Sequence, residues 1–315
     1  MNETMMKKLA KPMIVCATLI WGSTFFILKD ALDDVDLMFL MAFRFGFAAV
    51  LLGLVFWKRW KTIDRSYWWR GGLLGLFMFL AYSVQNYGLM DTTPGKNAFF
   101  TAVYCVIVPF LYWGVDRLRP SRFNVLAALL CIGGIGLVSW DGGIALTRGD
   151  VLTLCGGFIY ACHIVAVAKF SQGRDAVLLS ILQFGSAALC FAVGTAVTQG
   201  VPAGGLSPDA WLVLLYLAVF GTTIGQLFQN VGQKYTDPSS AALLLALEAP
   251  FGVMFSVAFG AETPGGLMYL GFGLIFLAVV CSETQFQFLR RGAGKAREKC
   301  LRGKPPHTPP TRAPS

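Results

Sequence analysis

The stretch VQNYGLMDTTP at residues 84–94 returns 144 residues later as FQNVGQKYTDP at residues 228–238. Other pieces of the chain recur in the same order in its two halves. They are IWGS (20–23) with IYAC (159–162), FRFGFAAV (43–50) with LQFGSAAL (182–189), and GIGLV (134–138) with GFGLI (271–275). A series of matches in one order predicts an internal duplication.

The chain is strongly apolar along almost its whole length. Of its 315 residues, 56% are hydrophobic and 14% are charged, whereas a soluble domain carries about 25% charge. Lipid offers the backbone no hydrogen-bond partner, so segments that cross it form helices. We therefore predict an all-α integral membrane protein with ten transmembrane helices, in the runs 12–28, 37–57, 71–90, 98–115, 123–140, 151–170, 176–198, 211–235, 240–261 and 266–288.

The predicted helices divide into two repeats of five, at residues 12–140 and 150–288. Five is an odd number, so the second copy enters the membrane from the opposite side. Inverted repeats of this kind are typical of transporters, which alternate between two states around one central site. Residues 289–315 are basic and proline-rich, which predicts a disordered cytoplasmic tail.

The net charge of +9 comes from basic residues whose distribution along the chain indicates the membrane topology. Most of the Lys and Arg residues fall on the side that holds both termini, and only Lys29, Lys96 and Arg148 fall on the other. The positive-inside rule then places both termini in the cytoplasm. The basic balance gives no support to nucleic-acid binding.

Catalytic and metal-binding motifs are missing from the sequence. Seven of the eight cysteines lie in apolar runs and none forms a CxxC pair, as expected of buried packing residues. The two histidines are His163 and His307. We therefore expect no metal, no cofactor and no catalytic residues. An intramembrane enzyme is the alternative from a different class, but no catalytic motif in the sequence supports it.

Amide side chains mark the interior of two predicted helices. Gln226, Gln229 and Gln233 share a helix face with Asn230 beside them, because residues three and four apart lie on the same side of a helix. The third run carries Tyr82, Gln85 and Asn86 in the matching place. Two interpretations stay open: these groups line a substrate cavity, or they bond neighbouring helices at about 0.6 kcal/mol each.

Charged and aromatic side chains complete the predicted site. Glu248 lies near the bilayer centre, where a carboxylate is a functional candidate, and we assign it to proton coupling or to a charge pair with Arg44. An alternative interpretation of Arg44 is that its side chain snorkels to the outer headgroups. Further cavity candidates, each of which also suits plain packing, are Trp21, Tyr104, Tyr160 and His163.

Three residues are candidate hinges. Gly22 interrupts the first run, and Pro109 and Pro250 occupy matching positions in the fourth and ninth runs. Proline removes a backbone donor and kinks membrane helices.

The sequence resembles the EamA family of the drug/metabolite transporter superfamily. The resemblance rests on LIWGSTFFILK (19–29), FRFGFAAVLL (43–52), NYGLMDTTPGKNAFFTAVYCVIVP (86–109), FQNVGQKYTDPSSAALLLALEAP (228–250) and GAETP (260–264). It implies a ten-helix transporter of the bacterial inner membrane with a central cavity, often an exporter of amino acids or other small metabolites. It also implies functional positions at Trp21, Arg44, Lys96, Gln229, Gln233, Glu248 and Glu262.

The expected function is secondary transport of a small metabolite by alternating access, with an amino acid or related compound as substrate, export as direction, and protons as a candidate coupling ion. A nucleotide-sugar or other organic-anion carrier is the alternative within transport. The expected partners are the small-molecule substrate and the lipid bilayer. Substrate identity and oligomeric state are left open by the sequence.

Overall fold

The computed structural model describes residues 3–117, 119–138, 146–198, 200–201, 205–259 and 265–284, and every regular element within them is helical. The predicted tail at 289–315 and Glu262 lie outside the described residues. The α-helices are α1 (Glu3–Asp34), α2 (Leu37–Val55), α3 (Arg65–Met90), α4 (Pro94–Thr101), α5 (Tyr104–Asp116), α6 (Arg122–Val138), α7 (Arg148–Phe170), α8 (Ala176–Thr198), α9 (Pro208–Tyr216), α10 (Gly225–Lys234), α11 (Pro238–Leu245), α12 (Glu248–Ala258) and α13 (Gly266–Thr284). A 3₁₀ helix covers Trp57–Thr62, and a π-helical segment, Leu217–Ile224, joins α9 to α10.

Several helices are long and apolar enough to cross a membrane, which makes this a multi-pass membrane protein. Among the described residues six spans meet that test: α2, α3, α7, α8, the pair α4 and α5 over Pro94–Asp116, and the segment Pro208–Lys234. The first helix adds a seventh as a bent pair, Glu3–Phe25 and Ile27–Asp34, at 44°. The apolar parts of α6 and α13 are shorter.

Two of the predicted runs are interrupted at corresponding places. The run 98–115 breaks between α4 and α5, and the run 240–261 breaks between α11 and α12. At each break the backbone tightens to i to i+3 bonds, from Val103 N–H to Phe100 and from Leu247 N–H to Leu244. A proline follows each break, Pro109 inside α5 and Pro250 inside α12. For Pro250 the carbonyl four residues earlier, which its ring excludes from regular helical bonding, is that of Ala246 at the break itself.

The two prolines do not occupy equivalent turns. Pro109 is the sixth residue of α5, whereas Pro250 is the third residue of α12. The breaks align between the two halves, but the prolines that accompany them are displaced by three residues. The sequence analysis treated the two prolines as equivalent, but the equivalent positions in the structure are the first residues of α5 and α12.

Packing between the halves pairs corresponding helices. Helix α2 packs on its counterpart α8, and α6 packs on its counterpart α13. The contact between α3 and α7 is matched by the contact between their counterparts, α10 and α1. Two apolar cores fill the interior, one around Phe99 and Leu243 and the other around Phe45 and Phe184. A polar region lies between them, where α1, α3, α7 and α10 approach one another.

Candidate functional site

A central cavity lies between the two halves of the chain. Its volume is about 50 Å³ for the centres of water-sized molecules, which is room for roughly three or four waters. Its lining comes from helices of both halves: Trp21, Thr24, Phe25 and Leu28 of α1; Arg44 of α2; Tyr82, Gln85 and Asn86 of α3; Thr101 and Tyr104; Tyr160 and Ile164 of α7; Gln226 and Gln229 of α10; Leu245 and Glu248. In this conformation the cavity is too small for a metabolite.

Most of the residues that the sequence singles out meet in this cavity. They are Trp21, Arg44, Tyr82, Gln85, Asn86, Tyr104, Tyr160, Gln226, Gln229 and Glu248. Three predicted residues, His163, Asn230 and Gln233, are buried outside its lining. Sequence reasoning missed Thr24 and Phe25, which lie three and four residues after Trp21 and so share its helix face.

Arg44 reaches into the cavity from α2. Its side chain is 2% exposed, its Nε donates to Thr222 Oγ1 at 2.9 Å, and its guanidinium lies 5.9 Å from the centre of the Tyr82 ring. This inward position differs from snorkelling, which would place the charge at the protein surface. The buried guanidinium retains donors that can bind an anionic group in the cavity.

Glu248 enters the cavity from the first turn of α12. It is 6% exposed, and its Oε1 accepts a hydrogen bond of 2.9 Å from the Tyr104 hydroxyl. Among the described residues no Lys or Arg nitrogen lies within 4.0 Å of its carboxylate, and no carboxylate lies that close to Arg44. The cavity therefore presents a guanidinium and a carboxyl group that are not paired with each other.

A hydrogen-bond network fixes the polar residues of α3. The Gln85 amide donates to Thr101 Oγ1 and accepts from the Tyr160 hydroxyl, both at 2.9 Å. Asn97 donates to the Gln85 carbonyl at 3.0 Å and to Thr153 Oγ1 at 2.8 Å. Such a network holds α3, α4 and α7 together on this side of the cavity.

The corresponding polar residues of α10 are much less bonded. Gln226 donates to the Tyr82 hydroxyl at 2.5 Å, but its Oε1 has no partner among the described residues. Asn230 Oδ1, both amide atoms of Gln233, and the hydroxyl of Thr236 are also without partners there. Their counterparts in the first repeat include Thr92, whose hydroxyl donates to Asp150 at 2.9 Å. Buried amides without partners are costly, so the α10 side requires water.

A small space lies beside α10. It has a volume of about 10 Å³ and is lined by Ser171, Ser180, Gln183 and Asn230 among others, which is about the volume that one water needs. Gln183 is fully buried and both its amide atoms lack partners among the described residues. His163 is 1% exposed, and its Nε2 is likewise unpaired within the described part of the chain.

Lysine side chains tie helix ends together on both sides of the cavity. Lys29 Nζ donates to the Leu89 carbonyl at 2.9 Å and to the Thr92 carbonyl at 2.5 Å, which joins α1 to the end of α3. At the other end of the molecule, Lys234 Nζ donates to the Arg174 carbonyl at 2.6 Å, and Lys169 pairs with Asp116. Lys29 thus joins α1 to α3 at one end, and Lys234 and Lys169 join α10 and α7 to neighbouring segments at the other.

The candidate hinges lie where backbones are close or irregular. A Cβ on Gly22 would lie 2.5 Å from Phe251 Cβ, so glycine permits the close approach of α1 to α12 beside Pro250. The bend of α1 follows Gly22 by one turn. The π-helical segment frees the Gly221 carbonyl, which accepts a hydrogen bond of 2.8 Å from the Trp21 indole, and such segments are frequent at functional sites.

Metal ligands do not gather anywhere in the described part of the chain, where no group of three or more His, Cys, Asp or Glu side chains is placed to hold an ion.

Comparisons with known proteins place the chain among transporters. The model of the EamA-like transporter family matches it twice, at residues 9–140 and 147–284. An uncharacterized transporter of Archaeoglobus fulgidus is 32% identical over 270 residues, which cover 85% of this chain and 83% of that protein. A probable biotin transporter of Pseudomonas aeruginosa is 24% identical, over 78% of this chain and 87% of that protein. One crystal structure of a protein superposes with a TM-score of 0.72 at 16% identity, covering 90% of this chain and 99% of the other.

Proposed function

The chain belongs to the EamA-like transporter family, and from this premise we propose that it moves a small zwitterionic metabolite, an amino acid or a related compound, by alternating access. The membrane-embedded helices and the named relatives support transport of small molecules. The proposal adds the substrate class, the mechanism and the direction, which is export.

One observation carries the substrate class. Arg44 supplies a guanidinium and Glu248 a carboxyl group to the same cavity, and the two do not pair with each other. A substrate with one carboxylate and one ammonium group can satisfy both. Burying an unpaired charge is costly, so these two groups favour a ligand that brings the complementary pair.

Alternating access is supported by the unequal bonding of the two repeats. Both amide atoms of Gln85 in α3 are bonded to neighbours, whereas Gln226 Oε1, Asn230 Oδ1 and both amide atoms of Gln233 in α10 lack partners among the described residues. In an inverted repeat the two halves exchange roles between the two states. We propose that in this conformation the passage along α3 is sealed and the passage along α10 is hydrated.

The proposal includes a membrane topology. The two repeats, at 12–140 and 150–288, are proposed to cross the membrane five times each, in opposite orientation. Ten spans place both termini on one side, and the distribution of Lys and Arg favours the cytoplasmic side of a bacterial inner membrane.

Protons are the proposed coupling ion, with Glu248 as the group that binds them. Glu248 is a carboxylate within the cavity, and its hydrogen bond from Tyr104 leaves Oε2 available to a proton or a substrate. A carboxylate in this setting can carry a proton in one state and a substrate ammonium group in the other.

A second candidate substrate is a biotin-like monocarboxylate, because one relative is named a probable biotin transporter. Such a molecule has a carboxylate for Arg44 and a neutral polar ring for the amides of Gln85 and Gln226, but no ammonium group. The two candidates therefore differ in their need for the Glu248 carboxylate.

Purified protein in liposomes tests the proposal. Amino acids, amines, biotin, sugars and nucleotide derivatives are offered with and without a pH gradient, to wild type and to Glu248→Gln. Transport of an amino acid whose KM rises in Glu248→Gln supports the zwitterion; transport of biotin whose KM is the same in Glu248→Gln and wild type supports the monocarboxylate. Movement of no solute across the panel contradicts both.

A further inference from the structure

An apolar groove runs along the outside of the molecule between α2 and α8. Its volume is about 1040 Å³, far larger than that of the central cavity. Small residues form its floor, with Gly46, Ala49 and Gly53 on α2 facing Gly185 and Ala188 on α8. A groove of this size on a membrane-facing surface must be filled by lipid or by protein.

The length of the groove corresponds to one leaflet of a bilayer. Its lining on α2 extends from Ala42 to Leu54, which is about 18 Å along the helix axis. The hydrocarbon core of a bilayer is about 30 Å thick, so one leaflet contributes about half of that length. The groove thus suits a single acyl chain that enters from one side.

Tryptophans identify the end of the groove that lies at the membrane surface. Trp60 of the 3₁₀ helix and Trp68 of α3 line this end and are 40% and 58% exposed. Tryptophan is enriched where hydrocarbon meets headgroups. The neighbouring 3₁₀ helix, Trp57–Thr62, therefore lies at the level of the phospholipid headgroups.

Basic residues lie next to these two tryptophans along the chain. Lys58, Arg59 and Lys61 belong to the 3₁₀ helix, and Arg65 begins α3. Arg59 pairs with Asp175 at 2.7 Å, whereas no described carboxylate lies within 4.0 Å of the other three. Cations of this kind beside a membrane attract anionic lipids.

We infer that the groove is a binding site for an anionic phospholipid. One acyl chain lies between α2 and α8, and the phosphate-bearing headgroup is held by Lys61 and Arg65 at the end marked by Trp60 and Trp68. The inference is independent of the transported substrate and of the direction of transport.

Native mass spectrometry of the full chain in detergent tests the site, with phosphatidylglycerol and phosphatidylcholine of equal chain length as probes. Two variants address its two parts: Lys61→Gln with Arg65→Gln removes the charges, and Gly46→Leu fills the groove. A Cβ at Gly46 meets only the Ala188 Cβ, at 3.9 Å, so this variant is expected to fold. Matched controls are Arg119→Gln with Arg122→Gln, and Gly136→Leu on an open helix face.

Wild type is expected to retain phosphatidylglycerol in preference to phosphatidylcholine. The double charge variant should weaken phosphatidylglycerol binding roughly tenfold and leave phosphatidylcholine unchanged, while Gly46→Leu should weaken both. The controls should match wild type. The inference would be overturned if variants and controls lost phosphatidylglycerol binding equally. It would also be overturned if wild type formed a dimer that Gly46→Leu dissociates, because a second copy of the chain would then fill the groove.

Discussion

Tyr104 and Glu248 begin equivalent helices in the two repeats, are 144 residues apart, and are joined by a 2.9 Å hydrogen bond. Tyr82 and Gln226 have the same separation and are also bonded to each other. Residues that contact their own counterparts lie close to the axis that exchanges two related units. The cavity is thus built on that axis, where a site keeps its central position when the two halves exchange conformations.

Glu248→Gln is expected to abolish the dependence of transport on a pH gradient, because the amide cannot take up or release a proton in this range. Exchange of labelled for unlabelled substrate without a gradient should continue, since the cavity keeps its shape. Tyr104→Phe serves as the matched variant, because it removes the hydrogen bond and keeps the carboxylate. Gradient dependence that persists unchanged in Glu248→Gln would remove this residue from proton coupling.

Arg44→Gln is expected to raise the KM for a carboxylate-bearing substrate at least tenfold, since a charge-assisted bidentate contact is lost. Thr222→Val tests positioning, because Thr222 accepts from Arg44 Nε without belonging to the cavity lining. It should raise the KM only several-fold. Transport kinetics in liposomes check both, and a KM in Arg44→Gln equal to that of wild type would contradict the assignment.

The unequal bonding of α3 and α10 predicts unequal access of water. Gln233→Cys should react with a membrane-impermeant thiol reagent added from the side of Lys234, and Leu89→Cys, its counterpart in α3, should react much more slowly from either side. Peptide-level mass spectrometry distinguishes each new thiol from the native cysteines. Faster reaction at position 89 than at 233 would reverse the proposed state of the two passages.

Lys29→Met is expected to open the end of the bundle that Lys29 closes. The substitution removes the donors to the Leu89 and Thr92 carbonyls but keeps an extended side chain. In a combined variant with Asn86→Cys, the new thiol should become several-fold more reactive from that side. Lys61→Met is the control, because Lys61 lies outside the cavity and bonds neither helix end. Equal reactivity with and without Lys29 would show that other contacts close the passage.

The sequence predicts the helical class and the repeat because both depend on local patterns: long apolar runs, and a motif that recurs in register. It does not predict that Tyr104 bonds to Glu248, since that contact joins residues 144 apart. Gln233 lies outside the cavity because the stripe from Gln226 to Gln233 covers about 10 Å of helix, more than so small a cavity spans. Asn230 follows Gln229 by one residue, which turns its side chain by about 100°, toward Ser180 of α8. Thr24 and Phe25 could have been found by extending the face that begins at Trp21.

Close helix packing supplies a last prediction, which concerns stability and does not depend on the transported substrate. Gly88 and Gly232 are counterparts in α3 and α10. A Cβ at Gly88 would lie 2.8 Å from the Gly149 carbonyl, and one at Gly232 would lie 2.7 Å from the Ala10 carbonyl. These contacts hold α3 against α7 and α10 against α1, and backbone atoms cannot yield as a flexible side chain does.

Gly88→Ala and Gly232→Ala should therefore each lower the free energy of unfolding by about 1–3 kcal/mol. Gly136→Ala is the matched control, because no atom of the described residues lies within 4 Å of a Cβ there. Since alanine favours helix over glycine by about 1 kcal/mol, the control should be neutral or stabilising. Thermal unfolding of the purified proteins in one detergent compares the three. A Gly232→Ala variant as stable as the control would mean that α1 and α10 are not held in the close contact that encloses the cavity.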